Sequence, residues 1–349
     1  MTDLAHIAAA LVAPGKGILA ADETVATITK RFDPLRITST PTSRRDFREL
    51  MLTTPGVEEF ISGVIMHDET IRQQTSSGEP FPALCDRLGI LAGIKVDNGA
   101  KRLALKDGEL ITEGLDNLRD RLAEYRHLGA HFAKWRAVFE VSDHIPTRGC
   151  ILANANALAR YAALCQEQEL VPIVEPEVLM DGSHTIERCE EVTSEVQQAV
   201  FDALFEHGVY LEEMLLKPNM IVPGDESGQQ VSVGTVASAT LRCLRRHAPA
   251  ALPGIVFLSG GQSDVLATRH LDAINRTGGA RPWRLTFSYG RALQDAALST
   301  WRGKQENVSA AQRAFFHRSR CNSLAAVGAY TSFEEEQVSP TASFAAGWH

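Results

Sequence analysis

HFAKWRAV (131–138) and, about 40 residues further on, VPIVEPEV (171–178) decide how this chain folds. Both runs are too short for a helix, are rich in strand formers and are bounded by turn signals, so each reads as a strand. Six more runs of the same kind lie at residues 17–22, 61–67, 93–97, 215–221, 254–261 and 284–290. The stretches between them carry helical periodicity with Ala, Leu, Glu and Arg, most clearly at 153–166, 193–206 and 236–247. Successive strands start about 30 to 44 residues apart, a spacing that suits parallel strands joined by helical crossovers. Eight such units without a long linker predict an α/β fold, a closed (β/α)8 TIM barrel over residues 1–330. An open doubly wound sheet has no support, because no GxGxxG stands between the first strand and a helix. Residues 331–349, an acidic run mixed with small residues and Pro, are expected to form a mobile tail.

Composition narrows the class. Of 349 residues 44% are hydrophobic and 22% charged, which is the balance of a soluble globular chain. A net charge of −8 argues against a general nucleic-acid partner. No apolar run approaches the roughly 20 residues that span a bilayer, and residues 1–12 lack the basic start of a signal peptide. Six scattered cysteines with no CxxC pair fit free thiols in a cytoplasmic protein.

Charges interrupt the strands where a core is expected. Lys95 and Asp97, Lys134 and Arg136, and Glu175 and Glu177 are each two apart, so each pair shares one face of its strand. Lys217 stands in the sixth strand, Asp22 closes the first and Arg291 follows the eighth. Those strand ends form the mouth of a barrel, where active sites are built. Apolar neighbours such as Val96, Trp135 and Val174 imply burial, and buried charges must be paired or functional. Lys217 is the candidate nucleophile, but a free lysine near pKa 10.4 is protonated at neutral pH. An ammonium at Lys134, 4–6 Å away, would disfavour its charge by about 3–4 kcal/mol at an effective dielectric near 20. Glu175 and Glu177 would then move protons during imine formation. Ser259-Gly-Gly-Gln-Ser263 and Ser288-Tyr-Gly-Arg291 follow the seventh and eighth strands, the two loops where barrels often bind phosphate. A zinc site at His127 and His131, spaced i,i+4, is disfavoured because Gly129 lies between them at the approach to a strand.

APGKGILAADE (13–23), GIKVD (93–97), FAKWR (132–136), VPIVEPE (171–177), LLKPNM (215–220), FLSGGQS (257–263) and FSYGRALQ (287–294) together resemble the class I, Schiff-base fructose-bisphosphate aldolases. The match runs in family order from about residue 4 to residue 335. The resemblance implies reversible cleavage of fructose 1,6-bisphosphate to dihydroxyacetone phosphate and glyceraldehyde 3-phosphate through an imine on Lys217, without metal or other cofactor. It implies acid/base work by Glu175, a supporting charge network of Glu177, Lys134 and Arg136, and Asp22 as acceptor of the C4 hydroxyl proton. It places the C1 phosphate at Ser259, Gly260, Gly290 and Arg291, and the C6 phosphate at Lys95, Thr24 and Thr27 with Arg31 near that end. It further implies a cytoplasmic homotetramer with a sugar phosphate as its small-molecule partner. Another ketose phosphate, such as fructose 1-phosphate or sedoheptulose 1,7-bisphosphate, is the alternative substrate. The sequence departs from the animal pattern in having Thr24 and Thr27 where serines stand, and in ending on Trp348-His349 where a tyrosine stands.

Overall fold

The computed structural model describes residues 4–279 and 281–336. Eight parallel strands close into a barrel, each hydrogen-bonded to its neighbour in sequence, with the eighth returning to the first through Ile18–Ser288 and Leu19–Tyr289. In chain order they are Gly17–Ala21, Ile61–Met66, Leu91–Lys95, Phe132–Phe139, Val171–Val178, Leu215–Leu216, Gly254–Phe257 and Arg284–Tyr289. Helices follow every strand and pack outside the barrel. A small exposed hairpin, Ala100–Arg102 with Leu110–Thr112, is inserted after the third strand; nothing in the sequence pattern announced it.

Two apolar layers result from the alternation of the strands. One lies between strands and outer helices and holds most of the core. The other fills the barrel itself, with Ile18, Ala20, Ile65, Phe132, Val171, Ile173, Leu215 and Val256. Helix Leu4–Leu11 plugs the bottom, burying Leu4, Ile7, Ala8 and Leu11 against that inner layer. Following the inward positions of the fifth strand upward gives Val171, Ile173, Glu175, Glu177, and the fourth gives Phe132, Lys134, Arg136. The barrel interior is therefore apolar below and ionised above.

Large and small residues interdigitate in the lower layer, as close packing requires. A Cβ at Gly93 would lie 2.3 Å from the Phe132 ring; in the outer layer, one at Gly17 would lie 2.6 Å from the Phe287 ring. Gly93→Ala should thus overpack the interior and cost about 1–3 kcal/mol, read as a lower midpoint in urea; an unchanged midpoint would mean that the ring moves freely aside.

The sixth strand is shorter than the sequence run 215–221. Only Leu215 and Leu216 pair as strand, because Pro218 has no N–H to give the ladder. Pairing continues by other means: the Lys217 N–H donates to Val174 O at 2.8 Å, and the Asn219 side chain accepts from Val178 N at 3.0 Å. Lys217 therefore sits at the top of the strand with its backbone fixed. Of the segment read as a tail, Phe333–Glu336 form a helical turn whose Glu335 is held by Arg318; Trp348 and His349 lie outside the described residues.

Candidate active site

Four strands deliver the ionised layer. Lys217 Nζ lies 3.2 Å from Glu175 Oε1, and the other oxygen of Glu175 lies 3.3 Å from Lys134 Nζ. Lys134 also pairs with Asp22 Oδ2 at 2.6 Å. Asp22, Lys134, Glu175 and Lys217 thus form a continuous chain, and the last three are all about 3% exposed. Burial alone would raise the Asp22 carboxyl, but Lys134 and then Lys217 overcome it and hold the group well below its usual range. Burial likewise opposes the charge on Lys134, and Asp22 and Glu175 outweigh that, raising it above a free lysine. The two ammonium groups are therefore not an isolated repelling pair, as the strand spacing suggested. A carboxylate stands between them, and Lys134 is the more tightly neutralised of the two.

Glu177 and Arg136 form a second pair, Nε to Oε2 at 2.5 Å, with the Arg136 side chain 42% exposed at the mouth. Lys95 is held by Asp97 Oδ1 at 2.6 Å, and Asp97 in turn accepts from the backbone N–H groups of Gly99 and Arg136. Thr24 caps helix Val25–Phe32 by accepting from Thr27 N, and the two hydroxyls lie 2.9 Å apart on the exposed helix start. Hydroxyls and free N–H groups at a helix N-terminus suit an anion.

A second anion cradle lies across the mouth. Gly260 and Gly261 take φ of +56° and +88°, left-handed values that favour glycine in this loop. A Cβ at Gly261 would be 3.7 Å from Arg291 Nη2, and one at Gly260 would be 4.0 Å from Glu177 Oε1. The loop after the seventh strand thus meets the first residue of helix Arg291–Trp301, which starts at Gly290 with no side-chain cap. Arg291 is exposed and makes no ion pair among the described residues. Ser259 is buried beneath, with its carbonyl accepting from Gln262.

Arg31 is placed differently from the rest. It binds Glu23, Gln294 Oε1 at 2.7 Å and Asp295 Oδ1 at 2.8 Å, so its donors face the helix after the eighth strand. Several supporting residues had no local sequence signal. Gln294 bonds the Ala20 carbonyl beneath Asp22, and Arg48, 1% exposed, donates to the carbonyl of Glu23 at 2.8 Å. Arg48 in turn approaches Glu69, which Arg44 also binds. Their partners are 21 or more residues distant, beyond the reach of periodicity. The His127–His131 pair does not share a helix: the helix ends at His127, and Gly129 turns the chain at φ +102°.

A barrel whose mouth buries a carboxylate between two lysines and carries two anion cradles has the equipment of an imine-forming lyase for a phosphorylated ketose. The class-I fructose-bisphosphate aldolase family model matches residues 3–348. The chain is 54% identical to a probable fructose-bisphosphate aldolase class 1 of Xanthomonas campestris pv. campestris, covering 93% of this chain and 97% of that one. It is 50% identical to fructose-bisphosphate aldolase C of Rattus norvegicus, covering 94% and 91%. A solved fructose-bisphosphate aldolase of Plasmodium falciparum superposes with a TM-score of 0.92 at 48% identity, covering 94% of this chain and 95% of that one. The chain belongs to the class I fructose-bisphosphate aldolase family, and its reaction is the glycolytic cleavage of fructose 1,6-bisphosphate.

Proposed function

We propose that Lys217 is the nucleophile of this cleavage and that Glu175 carries its protons. The observation that carries this reading is the single carboxylate shared by Lys217 and Lys134 in a buried setting. Glu175 Oε1 is within reach of the Lys217 proton, so the amine can be unmasked locally as it attacks the C2 ketone. The same carboxyl returns a proton to the carbinolamine oxygen, water leaves, and an iminium forms. Asp22, kept ionised by Lys134, takes the proton of the C4 hydroxyl as the C3–C4 bond breaks. The bonding pair moves into the iminium to give an enamine, and glyceraldehyde 3-phosphate departs. Protonation at C3 and hydrolysis release dihydroxyacetone phosphate and restore Lys217. No metal or organic cofactor takes part in this scheme. Arg136 and Glu177 hold each other at the mouth, where their charges support the pocket.

Trapping with borohydride in the presence of fructose 1,6-bisphosphate, followed by peptide mapping, tests the assignment. An adduct on the peptide bearing Lys217 is expected. Cleavage activity that resists EDTA, with no adduct on Lys217, would overturn it.

The C1 phosphate is assigned to Ser259, Gly260, Gly290 and Arg291, and the C6 phosphate to Lys95, Thr24 and Thr27. Arg31, expected near the C6 end, is given a supporting part, bracing Glu23 against Gln294 and Asp295 of the helix that Arg291 begins. Arg291→Ala removes a charge-assisted contact of about 1.5–3 kcal/mol, so KM for C1-phosphorylated ketoses should rise about 10- to 100-fold. An equal change for an unphosphorylated ketose would refute the assignment. The chain is further taken as a cytoplasmic homotetramer with one catalytic domain, residues 1–330, followed by a C-terminal segment. Its relative in Arabidopsis thaliana is named a cytosolic aldolase, and no described helix is long and apolar enough to cross a membrane. Light scattering that gives a monomer would remove the tetramer.

A further inference from the structure

The far end of the chain holds a cluster that the aldol chemistry does not use. His317 and Cys321 are four residues apart on helix Val308–Ala326, so both lie on one face. Glu335, from the turn Phe333–Glu336, reaches the same place. The Cys321 Sγ is 3.6 Å from His317 Nε2, which is 3.8 Å from Glu335 Oε2, and all three ligand atoms fall within 4.8 Å of one another. Metal–sulfur and metal–nitrogen bonds of roughly 2.3 and 2.0–2.1 Å at tetrahedral angles separate ligand atoms by about 3.3–3.6 Å. The cluster is close to that size before any metal is added.

We propose that His317, Cys321 and Glu335 bind one zinc-class divalent cation, with the fourth position left to water, and so fasten the turn Phe333–Glu336 to helix Val308–Ala326. The donor set of one imidazole, one thiol and one carboxylate is that of a zinc site with an open position. Arg318 and Tyr330 fix the carboxylate for this task. Arg318 donates to Oε1 at 2.8 Å and to Oε2 at 2.6 Å, and the Tyr330 hydroxyl donates to Oε1 at 2.7 Å.

A neighbouring guanidinium would oppose a metal if its charge were uncompensated, but Asp264 Oδ2 lies 3.6 Å from Arg318 Nε. Counted with the metal, a thiolate and two carboxylates balance a divalent cation and one guanidinium. Without the metal Cys321 is a neutral thiol, and the group carries one excess negative charge. Binding forms the metal–sulfur bond and releases the thiol proton to solvent. Glu335 also lines a surface groove of about 960 Å³ between helix Asp264–Arg276 and the chain from Tyr330 onward, with Cys321 fully buried behind it.

The site is remote from the imine chemistry in its bonding, since none of its three ligands touches Lys217, Glu175 or Asp22 among the described contacts. Its test is accordingly independent of the catalytic assignment. Metal-stripped full-length enzyme is titrated with Co²⁺ and then with Zn²⁺. One equivalent of Co²⁺ should produce a thiolate-to-metal charge-transfer band, and Zn²⁺ should bleach it. Cys321→Ser should remove the band, and Glu335→Gln should weaken Zn²⁺ binding about 10- to 100-fold. Both variants should keep the unliganded melting temperature within a few degrees, so that loss of binding is not loss of fold. Absence of a stoichiometric band, or a band that survives Cys321→Ser, would overturn the proposal.

Discussion

Lys217→Arg is expected to abolish borohydride trapping and to lower kcat by about 10⁴-fold or more, the scale on which a nucleophile is lost. Arginine keeps the positive charge beside Glu175, so the chain Asp22–Lys134–Glu175 retains its balance and the barrel should stay folded. What it lacks is a deprotonated state: the guanidinium does not shed its proton in a protein and cannot add to a ketone. Substitution by methionine is a poorer test, because it leaves two buried carboxylates, Asp22 and Glu175, against the single ammonium of Lys134, at a cost of about 3–5 kcal/mol when such a buried pair is broken. Intact mass with peptide mapping, alongside a thermal melt, separates loss of chemistry from loss of structure. Activity near that of the parent enzyme would defeat the imine mechanism at this residue.

That the site could be read at all from sequence follows from the barrel itself. Along the fourth and fifth strands the inward face runs from Phe132 to Lys134 to Arg136, and from Ile173 to Glu175 to Glu177. Two-residue alternation makes both the apolar floor and the ionised mouth visible as spacing. Helix starts were less legible because they rest on single capping residues. The helices read at 153–166, 193–206 and 236–247 begin earlier, at Arg148, Ile186 and Val233, where Thr147, Thr185 and Ser232 accept from the third backbone N–H. These caps were present in the sequence, and the apolar periodicity that guided the reading starts only downstream of them.

Other features had no local signature. The plug formed by Leu4–Leu11 depends on an open barrel end waiting below it, which only the closed sheet creates. The fate of Arg31 depends on Gln294 and Asp295, more than 260 residues away. The effect of Lys134 on its surroundings depends on where Glu175 places its two oxygens, a matter of rotamer and register rather than composition. Spacing identified the charges, but their pairing required the fold.

Asp22 offers the sharpest division between the two halves of the reaction. Asp22→Asn leaves an oxygen beside Lys134 but removes the base that takes the C4 hydroxyl proton. Fructose 1,6-bisphosphate cleavage should fall about 10²- to 10⁴-fold in kcat, whereas dihydroxyacetone phosphate, which needs no C–C cleavage to form an imine, should still be trapped on Lys217. The same variant carries a stability signature of known sign. The Asp22 carboxyl is held below its ordinary value of 3.8, so its stabilising contribution is present above about pH 4 and is lost as pH falls through the native-state value. The parent enzyme should therefore melt higher than Asp22→Asn at neutral pH, and the gap should close on acidification below about pH 4. Lys134 keeps Glu175 as a partner in the variant, which limits the loss to less than that of a fully stranded charge. Cleavage within tenfold of the parent, or loss of trapping together with cleavage, would remove Asp22 from the role of base and leave it as a counterion to Lys134.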